Sequence, residues 1–248
     1  MLAGGVVTVT IDNPTKRNAL DDATRHALLR DLQDATSDPR CRAIVLAGAP
    51  GAFCAGGDLA TMPTDQDRIR VRLGEMQEIA HLLHTGPKPT VAAVDGPAMG
   101  SGLALVAACD RVIATARAIF GCAFGRVGLV PDVGAAWTLT HRLGAGAARD
   151  LMLRSRTVDV DEARALGLVD EVADEGDLHD RARAWAGDFE RTAPGAVAAL
   201  KRLLAAGAAS FDDFLAIEMD TQISRLASAE FIEGRDAFFE RRPPSFGP

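Results

Sequence analysis

Residues 89–116 read "PTVAAVDGPAMGSGLALVAACDRVIATA", and this stretch decides how the chain is read. An apolar β-prone run (89–94) enters a glycine-rich turn. An Ala- and Leu-rich helical run (100–109) follows, and a second apolar run (110–116) closes the segment. Strand, helix, strand in this order is the crossover unit that lays two strands side by side in parallel. The strand runs are apolar at consecutive positions rather than at alternate ones, as expected for strands covered on both faces.

Outward from this segment the rhythm repeats. Further strand patterns lie at 6–12, 41–48 and 167–173, each closed by a turn signal, and helical patterns lie at 19–36, 66–85, 133–154 and 160–166. From 177 onward the pattern is helical only, punctuated by Pro194 and Gly207. The reading is an α/β core over 1–176 and a helical region over 177–248.

The length of 248 residues suits one domain with a large core. Nearly half the residues are apolar, and no run approaches the roughly 18 residues of a membrane helix. The start, "MLAGGVVTVTID", has no basic region and runs directly into a strand pattern, so a cytoplasmic protein without a signal peptide is expected. A net charge of −7 argues against nucleic acid or anionic membrane as the main partner. Cys41, Cys54, Cys109 and Cys122 form no metal-binding spacing and read as small buried hydrophobes. The five histidines form none either, and no metal is expected.

Two glycine-rich turns follow strands: "GAPGAFCAGGDLATM" (48–62) and "DGPAMGSGLALVAACD" (95–110). Such turns free backbone N–H groups and let a ligand approach closely; a converging pair makes an oxyanion hole. Tight turns of an α/β fold are the other reading. "GSGLAL" lacks the third glycine of a dinucleotide fingerprint, there is no GK[ST], and Ser101 lies outside a nucleophile elbow. In "NPTKRNAL" (13–20), Asn18 is expected to cap the first helix, with Asp21 and Asp22 in its first turn. Lys16 and Arg17 are either solvated charges or phosphate contacts. In "FGCAFGRVGLVPDVGAAW" (120–137), Asp132 is the only acid. It either caps a helix starting at Val133 or is an acid/base in a pocket lined by Phe124, Val130, Val133 and Trp137, whose apolar character would raise its pKa.

Taken in order, "NPTKRNAL", "AFCAGGDL", "VDGPAMGSGLALVAACD", "FGCAFGRVGLVPDVGAAWTL", "VDVDEARALGLVDEV" and "EGRDAFFERRPPSF" resemble the enoyl-CoA hydratase/isomerase (crotonase) superfamily over essentially the whole chain. The resemblance implies a spiral of ββα units with a helical C-terminal trimerisation region, assembled as a homotrimer or a hexamer. It implies an acyl-CoA thioester substrate and no cofactor beyond the coenzyme A of that substrate. It places the oxyanion-hole amides at Gly57 and Ser101, with no role needed for the Ser101 hydroxyl. Substrate contacts would come from Lys16, Arg17, Ala19, Ala55, Gly57, Asp58, Leu59, Gly100, Ser101, Ala104, Phe124, Pro131, Trp137 and Arg241, the basic ones near the CoA phosphates.

The family's hydratases carry two glutamates at positions that here hold Ala104 and Phe124, neither of which accepts a proton. The "GLVPD" turn is similar instead to the 1,2-epoxyphenylacetyl-CoA isomerase group of phenylacetate catabolism, which implies Asp132 as the catalytic acid/base of an enoyl-CoA isomerase. Three alternatives stay open: Asp132 as nucleophile of a hydrolase or dehalogenase, a hydratase of atypical mechanism, and a non-catalytic acyl-CoA-binding member.

Overall fold

The structure is a computed structural model and describes residues 2–247. In chain order its elements are β1 (Leu2–Ala3), β2 (Val6–Ile11), α1 (Asp22–Ser37), β3 (Ala43–Gly48), α2 (Gln66–His84), β4 (Thr90–Val94), β5 (Pro97–Met99), α3 (Ser101–Ala108), β6 (Arg111–Thr115) and β7 (Ile119–Gly121). They continue with α4 (Ala135–Leu143), α5 (Ala145–Leu153), β8 (Thr157–Asp159), α6 (Val160–Ala165), β9 (Glu171–Ala173), α7 (Leu178–Gly187), α8 (Pro194–Ala205), α9 (Phe211–Leu226) and α10 (Ala229–Glu240).

The main sheet has the order β1-β2-β3-β4-β6-β9 and is parallel from β2 to β9; only β1 runs antiparallel. A second small sheet, β5-β7-β8, stands beside it. The chain alternates between the two: β4 to β5 and then α3, β6 to β7 and then helix. This is a spiral of ββα turns, as the resemblance implied.

Alternation along β3 explains its continuous apolar run. Ile44 and Leu46 enter the larger core with α1, α2 and α3, whereas Ala43, Val45 and Ala47 face Leu178, Ala182 and Ala186 of α7. Both faces are dry, so neither tolerates a polar position. All four cysteines are buried and free, and burial pushes the Cys54 and Cys109 thiols up to about 12.

The structure corrects three local readings. The 133–154 pattern is two helices split at Gly144, whose φ of 77° suits glycine. The cap of α1 is Asp21, whose carboxylate accepts from the Thr24 amide. Asn18 is instead fully buried, donating to the carbonyls of Ala49 (2.8 Å) and Ala52 (2.7 Å) and so tying the first loop to the turn after β3.

Among the described residues no helix is long and apolar enough to cross a membrane. Helix α9 buries none of its side chains, and Phe211, Met219, Ile223, Phe238 and Phe239 of α9 and α10 are exposed.

Candidate active site

The two glycine-rich turns are pressed together. Met99 N–H donates to the Cys54 carbonyl at 2.8 Å, and a Cβ on Gly102 would lie 2.4 Å from that same oxygen. A Cβ on Gly56 would fall 2.8 Å from the Met99 carbonyl oxygen. Only glycines let the turns meet this closely. Each turn is also tethered outward. Gly100, at φ 53° and ψ −117°, donates to Gly121 of β7 (2.8 Å), while Leu20 N–H donates to Gly56 (2.8 Å) and the Leu20 carbonyl accepts from Asp58 (3.3 Å).

Gly57 and Ser101 consequently line one cleft from two sides. Among the described residues, neither of their backbone N–H groups finds an acceptor in the chain. Ser101 is also the first residue of α3, where orphan amides and the helix dipole both favour negative charge.

Asp132 enters the same cleft from the segment before α4. Val133 at φ 54° and Gly134 at φ 72° take left-handed conformations in succession, which is uncommon for a β-branched residue. Helix α4 therefore starts at Ala135, and the capping reading of Asp132 falls: its carboxylate caps nothing, although its backbone carbonyl accepts from Ala135. The Ser101 hydroxyl donates to Asp132 Oδ1 at 3.4 Å, so that hydroxyl has a partner which the sequence reading did not give it. Asp132 is half-buried and, among the described residues, is the only ionisable side chain lining the cleft. Burial pushes its carboxyl above the usual range, opposed by the Ser101 hydroxyl, its own amide and the Arg72 charge.

Of the residues expected at the site, Ala55, Gly57, Leu59, Gly100, Ser101, Phe124 and Asp132 line the cleft. Phe124 is a buried wall. Ala104 is fully buried one turn into α3. Ala19 is buried in the loop before α1, and Pro131 is half-buried beside Asp132. Lys16 pairs with Asp58 (2.7 Å), Arg17 sits exposed at φ 52°, and Arg241 is exposed at the end of α10. Val130 is 80% exposed. Val133 and Trp137 line a different cleft with His81 and His84, and Trp137 stacks on His141 with ring centroids 4.2 Å apart.

Sequence reasoning missed Met62, Met99 and Leu129 on the cleft wall, and the buried Arg72 behind Gly57. Arg72 had a legible signal. It continues the apolar stripe of Met76, Ile79 and Leu83 on α2, a position that ordinarily takes a hydrophobe.

A profile of the enoyl-CoA hydratase/isomerase family matches residues 2–248. A protein of Rhodobacter capsulatus named "Probable enoyl-CoA hydratase" is 36% identical over 99% of this chain and 95% of its own length. The 1,2-epoxyphenylacetyl-CoA isomerase of Escherichia coli is 32% identical over 98% of this chain and 95% of its own. Among solved structures, an enoyl-CoA hydratase from Polaromonas superposes with a TM-score of 0.88 at 33% identity, covering 99% of this chain and 97% of that one.

Proposed function

The chain belongs to the enoyl-CoA hydratase/isomerase family, and from that premise we propose that this acyl-CoA-processing enzyme is an isomerase that moves a double bond along an enoyl thioester. One observation carries the reading: among the described residues a single carboxylate, Asp132, shares its cleft with two unpaired backbone amides and with no second acid or base.

The thioester oxygen accepts from the Gly57 and Ser101 amides. The Asp132 carboxylate takes a proton from C2 of a 3-enoyl thioester, and the electron pair of that C–H bond spreads over the dienolate onto the oxygen. Fixed donors at a developing oxyanion are worth about 10²–10³ in rate apiece in measured cases. The protonated Asp132 returns the proton at C4, which leaves the double bond at C2–C3 and the carboxylate restored. An acid held above the usual range suits a group that accepts and donates in turn. Lys16, Arg17 and Arg241 supply the cations for the CoA phosphates.

Hydration needs a water held and deprotonated on one side and a proton delivered on the other. The cleft walls at Ala123, Phe124 and Leu129 offer no group for the second task. The relatives bear both hydratase and isomerase names, so the choice rests on this chemistry. Turnover of 3-enoyl, 2-enoyl and ring-bearing CoA esters, followed by mass and proton NMR, tests it. Migration with solvent deuterium incorporation and slow crotonyl-CoA hydration is the expected result. Hydration as fast as that of a dedicated hydratase contradicts it.

A further inference from the structure

Arg72 lies outside the cleft, yet its surroundings tie it to the reaction. It is 8% exposed on the inner face of α2. Its Nη2 donates to the Leu20 carbonyl at 2.8 Å, the same oxygen that accepts from Asp58 N–H, while Leu20 N–H holds the Gly56 carbonyl. A Cβ added to Gly57 would meet Nη2 at 3.2 Å, so the guanidinium rests directly against the oxyanion turn. Its one ion-pair partner among the described residues, Asp22 at 3.3 Å, is half-exposed and is shared with Arg25. The charged groups that act on Arg72 are Arg25, Asp22, Asp132 and Asp58. A hydrophobe would extend the stripe of α2 without desolvating a charge, so the buried cation calls for another reason.

We propose that Arg72 is a positioning residue for the isomerisation: its hydrogen bond to the Leu20 carbonyl fixes the Gly57 amide toward the cleft, and its charge acts across the glycine on Asp132 and on the dienolate oxygen. Glycine at position 57 is what permits that proximity, because a Cβ there would crowd both the Met62 methyl (2.5 Å) and the guanidinium (3.2 Å). A bond to the Leu20 carbonyl that served α1–α2 packing alone would leave kinetics and their pH dependence unchanged in a folded variant. The proposal rests on the isomerase reading above.

The test uses the full-length protein with 3-hexenoyl-CoA, comparing wild type, Arg72→Met, Arg72→Lys and, alongside, Asp132→Asn. For Arg72→Met, circular dichroism and Tm establish the folded fraction. The expected result is a kcat at least tenfold lower with KM within threefold, and an acid limb of kcat moved to higher pH because the cation that favours the ionised Asp132 is gone. Arg72→Lys keeps the charge and loses the planar guanidinium that reaches Leu20 and Asp22 with separate nitrogens. It should hold the acid limb in place while kcat falls at least threefold, and it carries the test if the Met variant does not fold. Wild-type kcat in folded Arg72→Met, or in Arg72→Lys, overturns the proposal, as does a loss that only follows the folded fraction with the acid limb unmoved. Activity retained by Asp132→Asn would instead strike the isomerase reading, so the two failures are distinguishable.

Discussion

At Asp132 burial and hydrogen bonding pull in opposite directions, and Ser101 sits at the balance point. Its hydroxyl favours the ionised carboxylate, so removing it raises the carboxyl further. Ser101→Ala keeps the backbone amide and should move the acid limb of kcat/KM to higher pH, slowing turnover below that limb while leaving it near wild type above. A pH–rate profile superimposable on wild type would remove the hydroxyl from the account. The candidacy of Asp132 was legible in the sequence because an isolated acid between proline and an apolar turn is unusual. The orientation of Trp137 was not. Left-handed Val133 and Gly134 delay α4 by two residues, from 133 to 135. The left-handed backbone at these two residues re-aims the helix that follows, and Trp137 packs on His141 in another cleft. No single-residue pattern announces a valine in the left-handed region.

Between elements, the contact of the two glycine-rich turns is the feature that places both amides. Gly102→Ala would drive a Cβ to 2.4 Å from the Cys54 carbonyl, a backbone atom held at both ends, so relaxation is limited. A loss of about 1–3 kcal/mol, as overpacking ordinarily costs, should accompany a kcat lowered by displacement of the Ser101 amide. Gly146→Ala in α5 is the control: nothing lies within 4 Å of the added Cβ, and helix propensity should stabilise by up to about 1 kcal/mol. Urea unfolding of both variants checks the signs, and a neutral Gly102→Ala would deny the close approach. The longer strands and helices were readable because period and composition agreed over five residues or more. Strands β1, β5, β7 and β8, at two or three residues each, carry no period. Asn18 was misread because an asparagine before a helix signals a cap, whereas its burial follows from a long-range partner at residues 49–52.

Across the whole molecule, the sheet is sealed by α1, α2 and α3 on one face and by α7 on the other, but α9 and α10 leave large side chains in water. Phe211, Met219, Ile223, Phe238 and Phe239 are large apolar side chains left exposed on these two helices, the kind of surface that marks an association site where it is contiguous. The account therefore predicts self-association through these helices, with a trimer or hexamer by light scattering at micromolar protein. Phe238→Asp should shift the population toward smaller species. A wild-type monomer at that concentration contradicts the assembly. Helicity of this region was legible from its periodicity and its Pro194 and Gly207 breaks. The failure of α9 to bury a single residue was not, because an apolar stripe looks the same whether its partner is the same chain or another.

One measurement bears on the central claim most directly: double-bond migration in 3-hexenoyl-CoA by Asp132→Asn, with binding of the same thioester measured by calorimetry. Asparagine keeps the size and a hydrogen-bonding group but accepts no proton at neutral pH. The account predicts that migration and deuterium exchange fall by at least a thousandfold while affinity stays within a few-fold of wild type. Turnover near that of the wild type would contradict it.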